Sequence, residues 1–171
     1  MNTIELQGLL EKGLDKRSVS MDVLACDELP LTTIRRLPAA LIVNTDPSTQ
    51  QGRHWLAIYV TSDRVGYFFD SFGNTPMYRE FPENIFCFLS KNCKRIIYSG
   101  SQVQHIQSTT CGEHCIFFLC NIQKGLSFQK VLNMYTDNLK CNDIMVCNFV
   151  KGIQPYLCRG HTFKCIQYAN H

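Results

Sequence analysis

The sequence predicts an α+β fold, a small mixed sheet with helices flanking it. Three observations carry that expectation. Between residues 39 and 70 lie three apolar runs of strand length, each closed by turn-forming residues. Residues 111–124 form a longer apolar run ended by Gly125, which reads as a helix with its C-terminal signal. Hydrophobic residues make up 45% and charged residues 18% of 171, an ordinary globular composition long enough for one domain with a core, read as residues 1–171.

The elements follow in order. Residues 3–14 predict a short amphipathic helix that turns Ile4, Leu9, Leu10 and Leu14 inward. Lys16, Arg17 and Ser18 form a solvated turn, and Pro30 and Pro38 keep their surroundings from starting a long element. Residues 39–44 read as a buried strand and residues 46–52 as a loop. Residues 54–60 and 65–70 are two further strands, joined by a turn at 61–64 into a hairpin. Residues 71–76 break the pattern. A helix is expected near 83–91 and a short fourth strand at 95–98. After the helix at 111–124, Ser127 is placed to cap a helix through about 135, and Asp143 to cap one through about 151. No element is assigned beyond Pro155.

Charge excludes little. A net charge of +3 is too small to carry nucleic-acid binding by itself. No apolar stretch reaches the length of a membrane span, so no membrane partner is expected. The first residues carry no basic and apolar leader pattern, so the ten cysteines are expected to be reduced and intracellular.

The chemistry concentrates in four side chains. Cys111 opens an apolar helix, where unpaired N–H groups and the macrodipole favour a thiolate. Thr109 and Thr110 stand just before it as candidate caps, and Gly112 lets the backbone approach a substrate. His54 and Asp70 fall at the same open end of the expected hairpin, within reach of each other on adjacent strands. An imidazole there can take the thiol proton and return it to a leaving amine, with the carboxylate orienting the ring. Gln104, seven residues before Cys111, offers an amide N–H₂ to a developing oxyanion beside the Cys111 backbone N–H; Gln102 and Gln107 compete for that role. Together these are the equipment of a thiol peptidase. Cys115 and Cys120 repeat at helical spacing with Ile116 and Leu119 and read as small core hydrophobes.

Four runs carry a resemblance. They are Ile42 to Ser48 (IVNTDPS), Gly52 to Trp55 (GRHW), Phe69 to Gly73 (FDSFG), and Val103-Gln104 leading to Cys111-Gly112. In that order and spacing they resemble adenain, the adenovirus-type cysteine protease. They resemble still more its relatives in Maverick or Polinton transposons and adenovirus-like DNA elements. The resemblance covers roughly residues 39–121. It implies a papain-like site with the histidine and acid before the cysteine. By matching positions, His54 resembles the general base, Asp70 the orienting acid, Gln104 the oxyanion donor and Cys111 the nucleophile. Adenovirus members carry a glutamate where this chain has Asp70, so the shorter carboxylate must sit closer. The family further implies cleavage beside small residues and protein substrates such as capsid precursors. Trp55, next to His54, reads either as the wall of a narrow substrate groove that rejects larger side chains or as ordinary core packing. The family also implies DNA as a modulator, the nucleus or a virion as a setting, and a cysteine at the spacing of Cys93 that pairs with an activating peptide. No cofactor is implied.

Other functions compete. A deconjugase for ubiquitin-like proteins shares the His-Trp, Asp and Gln before Cys-Gly, but typically has a longer segment before the histidine and a shorter Gln-to-Cys spacing. A catalytically decayed copy would act as a binding module. A zinc or nucleic-acid module would use Cys158, His161, Cys165 and His171, with Cys141 and Cys147 nearby, but structural zinc sites favour tighter Cys knuckles.

Overall fold

The computed structural model describes residues 1–50 and 52–153. Its elements are α1 (Thr3–Gly13), β1 (Ser20–Ala25), β2 (Ala39–Asn44), β3 (Trp55–Val60), β4 (Val65–Phe69), α2 (Glu83–Asn92), β5 (Arg95–Tyr98), α3 (Cys111–Gln123), α4 (Phe128–Leu132) and α5 (Leu139–Ile153). The sheet runs β1-β2-β3-β4-β5. The inner pairs β2/β3 and β3/β4 are antiparallel, and the edge pairs β1/β2 and β4/β5 are parallel. The expected α+β class, a mixed sheet with flanking helices, is what forms.

The apolar runs at 39–44 and 55–60 are continuous because helices cover both sheet faces. Ala40, Ile42, Ala57 and Phe69 point to one face, packed by α1 and α3, with α5 lying against those two helices. Leu41, Val43, Leu56, Ile58 and Phe68 point to the other, closed by Ile85, Phe88 and Leu89 of α2. α3 is buried along nearly its whole length, which is why its sequence is apolar on every side. Its Phe118 ring stacks on Phe69 of β4 with centroids 4.6 Å apart. Truncating such a ring costs ~3–5 kcal/mol, so the contact holds α3, which begins at Cys111, to the strand that leads into Asp70.

Several expectations need correction. Ile4 is 83% exposed; α1 buries Leu6, Leu9 and Leu10, and Asn2 and Glu5 close it with a reciprocal capping box. β1 is a strand that local pattern does not announce. It is a half-exposed edge strand carrying Asp22, made by parallel pairing with β2. Ser127 does cap α4, accepting from the Lys130 N–H at 3.3 Å, but that helix ends at Leu132. α5 starts a turn earlier than expected, with Asn138 Oδ1 accepting from the Cys141 N–H. Asp143 therefore lies inside the helix, 5% exposed, and caps nothing. No helix among the described residues is long and apolar enough to cross a membrane. The zinc reading on Cys158, His161, Cys165 and His171 falls outside the described residues.

Candidate active site

The histidine is placed by the loop that precedes it. Asp46, nearly buried, accepts from the Arg53 backbone N–H at 2.8 Å and pairs with its guanidinium at 3.0 Å. The Arg53 hydrogen bonds hold the Asp46 carboxyl below its ordinary range. Asn44 Oδ1 accepts from the Asp46 N–H, and a Cβ on Gly52 would collide with the Asn44 amide. The IVNTDPS and GRHW runs are thus one closed loop. It delivers His54 to the start of β3, where its carbonyl accepts from the Thr45 N–H at 3.0 Å.

His54 Nε2 lies 2.7 Å from Asp70 Oδ1. The ring sits between Phe72 and Phe81, with centroids 5.1 and 6.3 Å away, and the side chain is 14% exposed. Asp70 follows the last residue of β4, as the hairpin register pairing Ala57 with Phe69 requires. Its carboxylate is fully buried and accepts three further hydrogen bonds, from the Phe72 N–H, the Asn74 N–H and the Asn74 amide. The turn holding those donors needs Gly73: φ is +77°, and a Cβ would stand 2.7 Å from the Ser101 carbonyl carbon.

With Nε2 committed to Asp70, Nδ1 is the nitrogen left for the thiol. Burial alone would lower the His54 pKa. Hydrogen bonds with Asp70 and with Cys111, and the charge of each, outweigh burial and push it up to about 9. Cys111 is the first residue of α3 and 7% exposed. Thr110 occupies the N-cap position but makes no capping hydrogen bond; its hydroxyl donates instead to Asp143 at 2.9 Å. The N–H groups at the start of α3 are therefore not consumed by the cap side chain. Such groups favour negative charge on sulfur and on a nearby oxyanion.

Of the three candidate glutamines, Gln104 is the buried one; Gln102 and Gln107 are exposed. Ser71 Oγ donates to Gln104 Oε1 at 2.6 Å, and Gln104 Nε2 donates to the Ser108 carbonyl at 3.0 Å. This fixes which end of the amide is nitrogen and leaves one of its hydrogens for an oxyanion. The Ser71 carbonyl accepts from the N–H groups of Val103 and Gln104, so the residue after Asp70 holds the segment that carries Gln104. Gln102 donates its amide to the Gln104 carbonyl and acts as a brace. Sequence reasoning missed Ser71, Asn74, Phe72 and Phe81. The first three stand in or next to the FDSFG run, which was the available signal.

Of the two substrate-side expectations, the structure corrects the one for Gly112. Trp55 is 4% exposed, donates Nε1–H to the Met1 carbonyl at 3.3 Å, and lines a cleft of about 890 Å³ with Asn2, Glu5, Asn44, Asp46 and Arg53. A Cβ on Gly112 would meet Leu6 Cδ2 at 3.0 Å and Met1 Cε at 3.2 Å. The space that Gly112 opens is filled by α1, so its missing side chain serves helix packing where approach to a substrate was expected. Cys93 is half-buried with its sulfur over Gly66, and burial raises its pKa, which opposes thiolate chemistry there. Cys26, Cys87, Cys93, Cys111, Cys115, Cys120 and Cys141 form no disulfide.

Comparison with known proteins gives a family and a fold. A family profile described as adenovirus endoprotease matches residues 29–158. Among solved structures, a protease of ASFV is similar with a TM-score of 0.57 at 16% identity, covering 85% of this chain and 66% of that one. The chain therefore spans about two thirds of that protease's length. The central domain of an uncharacterized protein (Lpg1148) from Legionella pneumophila is similar with a TM-score of 0.53 at 11% identity, covering 91% of this chain and 98% of that one. At these identities the likeness is one of fold. No curated protein sequence matches the chain.

Proposed function

The chain belongs to the adenovirus endoprotease family, and from that premise we propose that it is a cysteine endopeptidase that cuts protein precursors beside small residues. The observation that carries the proposal is the His54–Asp70 pair, 2.7 Å apart with the carboxylate fully buried, whose imidazole pKa is pushed up by Asp70 and by Cys111.

In the proposed reaction His54 takes the Cys111 proton and the thiolate attacks the scissile carbonyl carbon. The carbonyl oxygen becomes an oxyanion received by the Gln104 amide and the Cys111 backbone N–H. Collapse breaks the C–N bond, and His54 protonates the departing amine. Water then adds to the thioester as His54 removes its proton. The second collapse releases a carboxylic acid and restores the thiol. Asp70 keeps the ring in one tautomer and stabilises its charged form.

The peptide is proposed to run along the cleft that Trp55 lines. Capsid precursors of a virus or virus-like element, of the Maverick or Polinton kind, are the proposed natural substrates. The free thiols of Cys26, Cys87, Cys93, Cys111, Cys115, Cys120 and Cys141 fit the proposed intracellular, nuclear or virion setting. Digestion of a peptide library with the wild-type protein and with Cys111→Ala is the test. Cleavage is expected after or before glycine and similar small residues, with none in the variant. Basic or bulky residues at those positions would remove the specificity. Selective cutting of ubiquitin-like precursors would favour a deconjugase instead, and cleavage that survives Cys111→Ala would end the proposal.

The pH profile follows from His54. A raised pKa means that the imidazolium needed to protonate the leaving amine persists until pH passes about 9. Peptidase kcat/KM is therefore expected to hold through neutral pH and fall on a basic limb near 9. The same shift stabilises the fold below 6.5, and that contribution disappears as pH rises through about 9. A basic limb near the ordinary histidine value would show that Asp70 and Cys111 do not hold the proton.

A further inference from the structure

A second buried histidine–carboxylate pair lies beneath the site and is absent from the mechanism above. Asp143 is 5% exposed and His114 fully buried, and His114 Nε2 lies 2.9 Å from Asp143 Oδ1. His114 stands one turn into α3, three residues after Cys111. Burial lowers its pKa more than Asp143 raises it, so it stays neutral and donates Nε2–H, while its other nitrogen faces the Tyr135 hydroxyl at 3.3 Å. The same Asp143 Oδ1 accepts from Thr110 Oγ1 at 2.9 Å, and Oδ2 accepts from the His105 backbone N–H at 3.3 Å. Its neighbour Asn142 is 1% exposed and donates to the Val103 carbonyl at 3.0 Å. Two adjacent residues of α5 therefore grip the backbone on either side of Gln104, and one of them also grips the residue before Cys111.

We propose that Asp143, assisted by Asn142, is a positioning residue that holds the Gln104 segment in register with the start of the nucleophile helix. This rests on the assignment of Gln104 as oxyanion donor. Burying a carboxylate is costly, and three donors converging from two separate segments offset it only in this arrangement. Removing the grip leaves the hydrogen bonds of Gln104 to Ser71 and Ser108 in place but frees the backbone that carries them. Displacements of the order of 1 Å at such a site cost catalysis heavily.

Asp143→Asn preserves volume and leaves one acceptor oxygen for three donors. In the full chain it is expected to lower kcat by ~10- to 100-fold with KM nearly unchanged. Because it acts through Gln104, the variant combining Asp143→Asn with Gln104→Ala is expected to be no slower than Gln104→Ala alone. Thr110→Val removes a single donor without uncapping α3 and is expected to lose less in the same non-additive way; it carries the kinetic test if Asp143→Asn does not fold. Amide hydrogen exchange over residues 103–110 reads the same grip without turnover. It is expected to quicken in the Asp143 or Thr110 variant while exchange in β2, β3 and β4 stays as in the wild type. A wild-type chain with no Cys111-dependent cleavage would defeat the peptidase reading, and the exchange measurement would still decide the grip. Additive kinetic losses, an effect confined to KM, or unchanged exchange over residues 103–110 would each overturn the proposal.

Discussion

Replacing His54 with alanine is expected to lower turnover by roughly ten-thousand-fold or more, because residues of a nucleophile–base unit fail together when one is removed. In the proposed reaction two steps depend on this ring: activating the Cys111 thiol and protonating the departing amine. His114, three residues along α3, does not substitute for it, since it is fully buried with Nε2 held against Asp143. The His54 side chain is partly accessible between Phe72 and Phe81, so its loss leaves a small cavity and the fold should survive. In the wild type, Cys111 is expected to be the cysteine that iodoacetamide alkylates fastest. Burial holds Cys115 well above the ordinary thiol range and raises Cys120 to about 11. In His54→Ala that preference should vanish. Mass spectrometry after limiting alkylation, run beside a peptidase assay and a thermal melt, checks the set. Near-normal activity in a folded His54→Ala protein would misassign the base. Asp70→Asn is expected to lose less than His54→Ala, because the carboxylate orients the ring and does not itself exchange the proton. Its amide nitrogen must nonetheless face one of the four donors that now converge on the carboxylate.

Gln104→Ala is expected to cost ~100- to 1000-fold in kcat, the usual effect of deleting one oxyanion donor. KM should change little, since the amide meets charge that develops only in the transition state. Gln107→Ala, at an exposed position, should be nearly silent. Comparing kcat and KM for the two variants decides between them, and the reverse ranking would move the donor to Gln107. Ser71→Ala makes the assignment sharper. Its hydroxyl orients the Gln104 carbonyl oxygen at 2.6 Å, so losing it should produce a smaller version of the Gln104 defect.

Much of this is legible in the sequence, and the reason is locality. An apolar run at strand length, closed by turn residues, specifies β2, β3 and β4 from neighbours a few positions away. Cys111 and Gly125 bracket α3 by the chemistry of helix ends. A hairpin turn at 61–64 obliges His54 and Asp70 to share one end of the sheet. The order His54, Asp70, Gln104, Cys111 and the runs around them pointed to the family that the profile match then showed. What sequence could not decide depends on partners far apart along the chain. β1 exists because β2 offers an open edge, and nothing within residues 20–25 announces it. Ser71 meets Gln104 across 33 residues, Asp143 meets His114 across 29, and Asn142 meets Val103 across 39. A buried polar side chain takes whichever donor or acceptor the packed helices bring to it. So the same aspartate that local rules place at a helix cap becomes, once α5 lies against α3, the anchor of the segment that carries Gln104.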